Sequence, residues 1–302
     1  MPTIFELITE KLNRLDSIPK KFLTNVDKAQ YQILDSILKR MSEFNLTPQG
    51  TIQMTAENML KAEELINDLE QVFNKSDYIE SVTEFASSFD IQKKITDKYF
   101  SKAFPDFSKK DFAEAVFQSS KKSAVESLSS ATVKTKFLEP LKEQITQIVS
   151  SGMDYRDAVK YLREYAIGND EESGKLLKYS KQIAYDSIAK SDRAYTSAVA
   201  EELQSEWFYY AGGLIKTSRD FCRERNGSYF HYKEVEDWSK LKWDGKMENT
   251  TSQNIYENLG GWNCNHSLIP VSIDRVPEKV VRRNIANGNY VLTKFEVENL
   301  AV

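Results

Sequence analysis

The sequence predicts an α+β protein in which a mainly helical region, residues 1–205, is followed by a small α+β module, residues 206–302. Apolar residues recur at intervals of three and four over residues 3–206, which is the spacing of helices with one buried face. Beyond that point the pattern changes to short β-rich runs beside glycines and other turn-forming residues. With 302 residues, 40% of them hydrophobic, the chain is long enough for one large or two medium domains.

The helical region opens with apolar residues at helical spacing, namely Ile4, Leu7, Ile8, Leu12 and Leu15. Helix breaks are predicted where turn-forming residues interrupt this spacing, at Ile18-Pro19, Pro48-Gln49-Gly50, Phe104-Pro105-Asp106 and Ser151-Gly152. Asp154 is predicted to cap the helix that follows the last break. The longest predicted helix covers residues 172–207, which contain no proline.

The module is predicted to contain two strands, in the runs FYYAGGLIK and HSLIPVSI. Asn226-Gly227 is a turn signal of the hairpin type between two apolar runs. Trp238, Trp243 and Trp262 are predicted to fill the core of the module, because buried aromatic side chains are commoner than exposed functional ones.

The charge of the chain excludes a protein that coats nucleic acid with its whole surface. The formal net charge is -4 and the pI is near 5.5, whereas neutralising phosphates requires concentrated Lys and Arg. Residues 91–142 are locally basic, with eleven Lys against six Asp and Glu. A solvated helix face is the favoured interpretation of this stretch, and contact with DNA or an acidic partner is the alternative. The candidate contact residues are Lys93, Lys94, Lys109, Lys110, Lys121 and Lys122.

The first residues, MPTIFELITEKLNRL, lack the basic and apolar regions of a secretory signal. No run of the sequence approaches the roughly 20 apolar residues that span a bilayer. We therefore expect a protein that is made in the cytoplasm and has no membrane partner.

All of the cysteines and histidines of the chain lie in its last third, at Cys222, His231, Cys264 and His266. Thiolate and imidazole are preferred ligands of tetrahedral zinc, which can stabilise a small module with a limited core. The spacings Cys-x8-His and Cys-x-His differ from the Cys-x2-4-Cys pairs that are typical of zinc sites. The sequence therefore favours packed or hydrogen-bonded thiols without a cofactor, and zinc bound by these four residues is the alternative.

Three segments occur in order in the last third: IAKSDRAYTSAVAEEL, GGLIKTSRDFCRERNGSYF and GGWNCNHSLIPVS. This series resembles the C-terminal part of the phage Mu F-like minor head proteins, in which a long helix leads into the pattern DxRTCxxCxxLxG and the module closes with HPxCRCxLxPV. Cys222 and Gly227 match the second cysteine and the following glycine of the first pattern. Cys264 and His266 match the two cysteines of the closing pattern.

The chain departs from the family pattern at two possible ligand positions. Arg219 stands where the family often has its first cysteine, and Gly261 stands in the place of the histidine. The resemblance therefore implies that a site with four ligands can be restored only by recruiting His231.

The resemblance implies a non-enzymatic structural protein of a tailed bacteriophage, a minor capsid protein that acts in head morphogenesis near the portal vertex. The protein would remain in the head of the virion, and its partners would be portal, coat or scaffold proteins. The alternative is a cargo or ejection protein inside the head, whose basic segment contacts packaged DNA.

An ADP-ribosyltransferase-like or toxin-like enzyme is the third hypothesis. Strings in the order of that fold's Arg, Ser-Thr-Ser and Glu-x-Glu elements occur at Arg219, residues 250–252 and residues 296–298. Such short strings recur by chance, so no catalytic residue is predicted.

Overall fold

The computed structural model describes residues 2–105, 107–108 and 111–292, in which helices predominate beside one three-stranded antiparallel sheet. This confirms the predicted mainly helical α+β fold. The helices are α1 (Ile4–Met41), α2 (Ala56–Lys75), α3 (Tyr78–Ala103), α4 (Asp111–Ser127), α5 (Ser130–Val133), α6 (Glu139–Ser150), α7 (Tyr155–Ala166), α8 (Lys175–Glu202), α9 (Asp220–Arg225), α10 (Tyr232–Asp237), α11 (Ile255–Asn258) and α12 (Glu278–Ala286). The strands are β1 (Trp207–Ala211), β2 (Tyr229–His231) and β3 (Ser267–Val271). Short π and 3-10 segments lie at Lys134–Leu138, Trp238–Lys240 and Ile273–Arg275.

Helix α1 continues through Pro19, so the predicted break at Ile18-Pro19 is wrong. Proline removes one hydrogen bond to the preceding turn and crowds a carbonyl group there, at a cost of about 3 kcal/mol. The apolar face nevertheless continues on both sides, with Leu15 and Phe22 buried. Since each such burial contributes about 1.5–3 kcal/mol, burial of the continuous face outweighs the proline.

The other predicted breaks lie outside helices. Residues 48–50 separate α1 from α2, and residues 151–152 separate α6 from α7. At the third break α3 ends before Pro105, and Asp106 lies outside the described residues. Asp154 caps α7 as predicted, since its carboxylate accepts hydrogen bonds from the backbone N–H groups of Arg156 (2.9 Å) and Asp157 (3.4 Å). The long predicted helix is α8, which is shorter at both ends than the sequence indicated.

Two compact units can be separated in the chain, and each is built from segments distant in sequence. The first, the helical unit, consists of Ser17–Ser88 and Ser123–Ala184. Its core includes Phe22 and Phe85, whose stacked rings have centroids 4.7 Å apart. The buried Tyr78 hydroxyl donates a hydrogen bond to a backbone carbonyl at 3.2 Å. This unit is therefore held by apolar packing between helices, and the backbone satisfies the buried Tyr78 hydroxyl.

The second unit, the mixed unit, consists of Met1–Asp16, Phe89–Lys122 and Tyr185–Val302 and contains the sheet. The change from helix to strand occurs where the sequence predicts it, since α8 ends at Glu202 and β1 begins at Trp207. The mixed unit also includes parts of α1, α3, α4 and α8. The division of the chain into domains 1–205 and 206–302 stays a prediction.

The sheet has the strand order β2-β1-β3, and β1 pairs antiparallel with both neighbours. Alternate residues of a strand point to opposite faces. On one face Phe208 and Tyr210 join a core that contains Cys222 and Cys264. On the other face Trp207 joins a second core with apolar residues of α12. The sheet thus separates two cores within the mixed unit.

Two of the three tryptophans predicted in the core are there. Trp238 is buried in the first core, and Trp243 stacks on Phe221 with ring centroids 4.1 Å apart. The prediction for Trp262 is wrong, because this residue is 49% exposed and lies in a turn before β3. The Lys190 ammonium group lies 5.2 Å from its ring centroid.

The turn predicted as a hairpin at Asn226-Gly227 joins α9 to β2 instead. Gly227 has a φ of +80°, and its N–H group donates to the carbonyl oxygen of Tyr210 at 2.9 Å. A glycine in the left-handed region just after a helix is a common helix ending. The same residues therefore end a helix here, because the run before them is helical rather than extended.

A buried ion pair links α1 to α8 within the mixed unit. Lys11 Nζ lies 3.1 Å from the Asp192 carboxylate, and the two side chains are 2% and 1% exposed. Asp192 also accepts hydrogen bonds from Gln92 (3.0 Å) and Thr96 (3.2 Å), and Lys11 donates to Thr196 (2.7 Å). Burial lowers the pKa of Lys11, and Asp192 opposes that effect. These polar partners replace the water that both charges lose.

We predict that Lys11→Met lowers the free energy of unfolding by about 3–5 kcal/mol, because Asp192 is left buried without its counter-charge. The double variant Lys11→Met, Asp192→Leu removes both charges and should recover most of that loss. Urea unfolding of the three proteins measures the difference. A double variant as unstable as the single one would show that the unpaired carboxylate is not the cause.

Candidate functional site

Two cysteines and one histidine meet on the Tyr210 face of the sheet, and we call Cys222, Cys264 and His266 the Cys-His cluster. Cys222 Sγ lies 3.9 Å from Cys264 Sγ, and Cys264 Sγ lies 3.7 Å from His266 Nδ1. One donor atom from each residue lies within 4.8 Å of those of the other two, and all three residues are buried. Two sulfur atoms and one ring nitrogen thus converge in the protein interior.

Local backbone structure places each member of the cluster. Cys222 lies in the first turn of the short helix α9. Cys264 follows a tight turn in which Gly261 and Asn263 have φ values of +90° and +56°. His266 directly precedes β3, whose pairing with β1 fixes its position beside the sheet. Residues 42 positions apart are therefore brought together by α9, the turn and β3.

Two glycines leave the space that the cluster occupies. A Cβ atom at Gly260 would lie 2.6 Å from Cys222 Sγ and 2.8 Å from Cys264 Sγ. A Cβ atom at Gly212 would lie 2.4 Å from the His266 ring. Real Cβ atoms essentially never approach other atoms within 3.0 Å, so any side chain at either position displaces the cluster.

Arg193 of α8 fixes the backbone of the Cys264-x-His266 segment. Its Nη1 atom donates hydrogen bonds to the carbonyl oxygens of Cys264 at 2.6 Å and of His266 at 3.3 Å. The Arg193 side chain is buried, so these bonds supply partners to acceptors that water does not reach. Arg193 therefore acts on the cluster through the backbone of two of its members.

Tyr210 contacts two members of the cluster through different parts of its side chain. Its hydroxyl donates a hydrogen bond to Cys222 Sγ at 3.4 Å. Its ring stacks on the His266 imidazole with centroids 5.3 Å apart and an interplanar angle of 30°. Burial raises the pKa of Tyr210 well above its ordinary value, so the hydroxyl keeps its proton and remains a donor.

The two buried cysteines shift each other's pKa in opposite directions. Hydrogen bonding from Cys222, supported by His266 and Arg193, lowers the pKa of Cys264 well below its ordinary value. The same hydrogen bond, together with burial, raises the pKa of Cys222. The direction of the pKa shift marks Cys264, which lies against the His266 imidazole, as the more acidic thiol of the pair.

His231, the fourth predicted metal ligand, lies in the other core. It pairs with Trp207 across the sheet, so it faces away from Tyr210 and the Cys-His cluster. Its ring packs against Trp207 and Tyr290, with centroid distances of 4.9 and 5.5 Å. Within the part of the chain that the structure describes, neither ring nitrogen of His231 has a hydrogen-bond partner. The fold thus brings together three of the four predicted ligands.

The lysines predicted to contact DNA have different surroundings. Lys93 lies 3.0 Å from both Asp97 and Glu114, and Lys121 lies 2.7 Å from Asp90. These carboxylates already compensate the charges of Lys93 and Lys121, which favours a structural role for the two lysines. The remaining candidates are Lys94 and Lys122, which are exposed, and Lys109 and Lys110, which lie outside the described residues.

The residues of the enzyme hypothesis are placed only in part. Arg219 lines an open cavity of about 560 Å³ with Asp220, Trp243 and Asp244, and it donates to the carbonyl oxygen of Trp262 at 2.8 Å. Residues 250–252 lie in the turn before α11, and residues 296–298 lie outside the described range. The enzyme hypothesis stays a hypothesis.

Comparisons with protein-family models, with curated proteins and with solved structures found no match. Among the described helices, none combines the length and the apolar content that crossing a membrane requires.

The sequence reasoning missed Arg193 and Tyr210, as well as the need for glycine at positions 212 and 260. A signal for Arg193 was present in the segment IAKSDRAYT, where charged residues interrupt the apolar face of a long helix. A charge at a position that helical spacing predicts to be buried indicates a specific partner. The glycines gave no such signal, because turns with glycine are common on any surface.

We predict that Gly260→Ala lowers the free energy of unfolding by about 1–3 kcal/mol, because the new Cβ atom presses on both sulfur atoms. Gly213→Ala is the matched control, since a Cβ atom there meets no described atom within 4 Å. Denaturant unfolding compares the two variants. Equal effects would contradict the close packing of Gly260 on the cluster.

The buried His231 predicts a loss of stability in acid. Burial, with a smaller effect of Lys233, lowers the pKa of His231 from 6.5 to about 4, and Glu234 opposes the shift. The folded state resists protonation of this ring. The free energy of unfolding should therefore fall by up to about 3 kcal/mol as the pH drops from 6.5 to about 4. His231→Phe should remove that part of the pH dependence, and a variant with the wild-type dependence would refute the assignment.

Proposed function

We propose that this chain is a minor head protein of a tailed bacteriophage that acts in head morphogenesis near the portal vertex. The proposal starts from the ordered series of three segments that resembles the phage Mu F-like family. One structural observation supports it most strongly: residues from all three segments meet in a single site. Arg193 comes from the first segment, Cys222 from the second, and Cys264 and His266 from the third.

This convergence matters because short motifs recur by chance in unrelated sequences. Contacts among all three segments are expected if they form one functional module. Here the long helix α8 donates hydrogen bonds into the closing segment, and the closing segment contacts α9. These contacts support the interpretation of the three segments as parts of one module.

The proposed role is structural rather than catalytic. A few copies of the chain would join the growing head, contact portal, coat or scaffold proteins, and remain in the virion.

We predict that peptides of this chain are found in purified phage particles at a low copy number relative to the coat protein. Particles from the producing strain are banded on a density gradient and quantified by mass spectrometry. Deletion of the gene should reduce the yield of DNA-filled heads, and expression of the full chain in trans should restore it. A chain that stays in the lysate and is absent from particles would contradict the proposal.

The same particles distinguish the head protein from an ejection protein. Particles emptied of DNA should retain the chain if it is part of the head shell. Loss of the chain together with the DNA would instead support the alternative of a cargo or ejection protein.

A further inference from the structure

We propose that the Cys-His cluster binds one Zn²⁺ ion through Cys222 Sγ, Cys264 Sγ and His266 Nδ1. This inference does not depend on the proposed phage function, because it rests on the geometry and chemistry of three side chains. It also changes the ligand set that the sequence suggested, since His231 is not part of the cluster.

Two of the three distances between the donor atoms match those of a tetrahedral zinc site, and the third pair, Cys222 and His266, lies within 4.8 Å. Zinc binds thiolate sulfur at about 2.3 Å and imidazole nitrogen at about 2.0 Å, which places two sulfur ligands about 3.8 Å apart and sulfur and nitrogen about 3.5 Å apart. The two sulfur atoms of the cluster are 3.9 Å apart, and Cys264 Sγ is 3.7 Å from His266 Nδ1. The side chains therefore need to move little to share one ion.

The charge of such a site suits its burial. Two thiolates neutralise the two positive charges of Zn²⁺, and the imidazole ligand is itself neutral. A neutral group costs much less to bury than an isolated charge. All three ligand residues are buried, at 3%, 5% and 5% exposure for Cys222, Cys264 and His266. Thiolate and imidazole also select zinc over magnesium or calcium, which prefer oxygen ligands.

The residues around the cluster support the ligands as outer-shell groups commonly do in metal sites. The Tyr210 hydroxyl donates to Cys222 Sγ, and Arg193 fixes the backbone of Cys264 and His266. Gly260 leaves open the space beside both sulfur atoms that a Cβ atom would fill. The site is thus shaped by its surroundings as well as by its three ligands.

Three protein ligands leave the fourth tetrahedral position to a water molecule. The ion would join α9 to the segment before β3, across a separation of 42 residues. Metal binding then becomes part of the folding free energy of the mixed unit.

The first experiment needs no variant. The full chain is purified under reducing conditions, its zinc content is measured, and the apoprotein is titrated with Zn²⁺ or with Co²⁺ as a spectroscopic probe. We expect about one zinc per chain, a lower melting temperature after chelation, and the visible and thiolate charge-transfer bands of tetrahedral Co²⁺. Absence of stoichiometric binding with both metals would overturn the proposal.

The two histidines provide a matched comparison, since both are buried. Cys222→Ser and His266→Ala should lose stoichiometric zinc, whereas His231→Ala should keep it. Tyr210→Phe retains every ligand and should weaken zinc binding by about 10- to 100-fold. Loss of zinc in His231→Ala with retention in His266→Ala would refute the ligand assignment. A Cys222-Cys264 disulfide in freshly isolated protein, shown by the absence of free thiols, would refute it as well.

Discussion

The mixed unit depends on two adjacent buried charges in the middle of α8. Asp192 is balanced by Lys11 of α1 and accepts further hydrogen bonds from α3. Arg193 points its donors at the backbone beside the Cys-His cluster. A charge in the interior is tolerated only when partners replace its water, so each of these contacts constrains where its partner segment can lie. One turn of α8 thereby fixes α1, α3 and the segment before β3.

The sequence predicted the helices well because burial of an apolar face leaves a repeating signature. That signature also explains the main error, which is the helix break predicted at Pro19. The apolar spacing continues across Pro19, and its burial outweighs the local effect of the proline on the helix. The module was harder to predict. Its turns are governed by backbone conformations at single residues, such as Gly227 and Asn263. Aromatic side chains in these turns, such as Trp262, need not face the core.

The sequence predicted which kinds of residue form the candidate site, but not which of those residues lie together. The sequence singled out all four cysteines and histidines, and the local pair Cys264-x-His266 does share one site with Cys222. Exclusion of His231 follows from the strand register, which places it beside Trp207 on the opposite face of the sheet. A register shift of one residue would reverse that face, and no spacing rule in the sequence fixes the register of a three-residue strand.

The backbone around Gly261 explains why the site has three ligands rather than four. In the family pattern that the chain resembles, a histidine occupies this position. Gly261 has a φ of +90°, and a Cβ atom there would lie 1.8 Å from the carbonyl oxygen of Gly245. No histidine fits that conformation and that contact, so a histidine at position 261 would require the turn before Cys264 to be rebuilt. The main-chain conformation at Gly261 therefore leaves Cys222, Cys264 and His266 as the three candidate ligands.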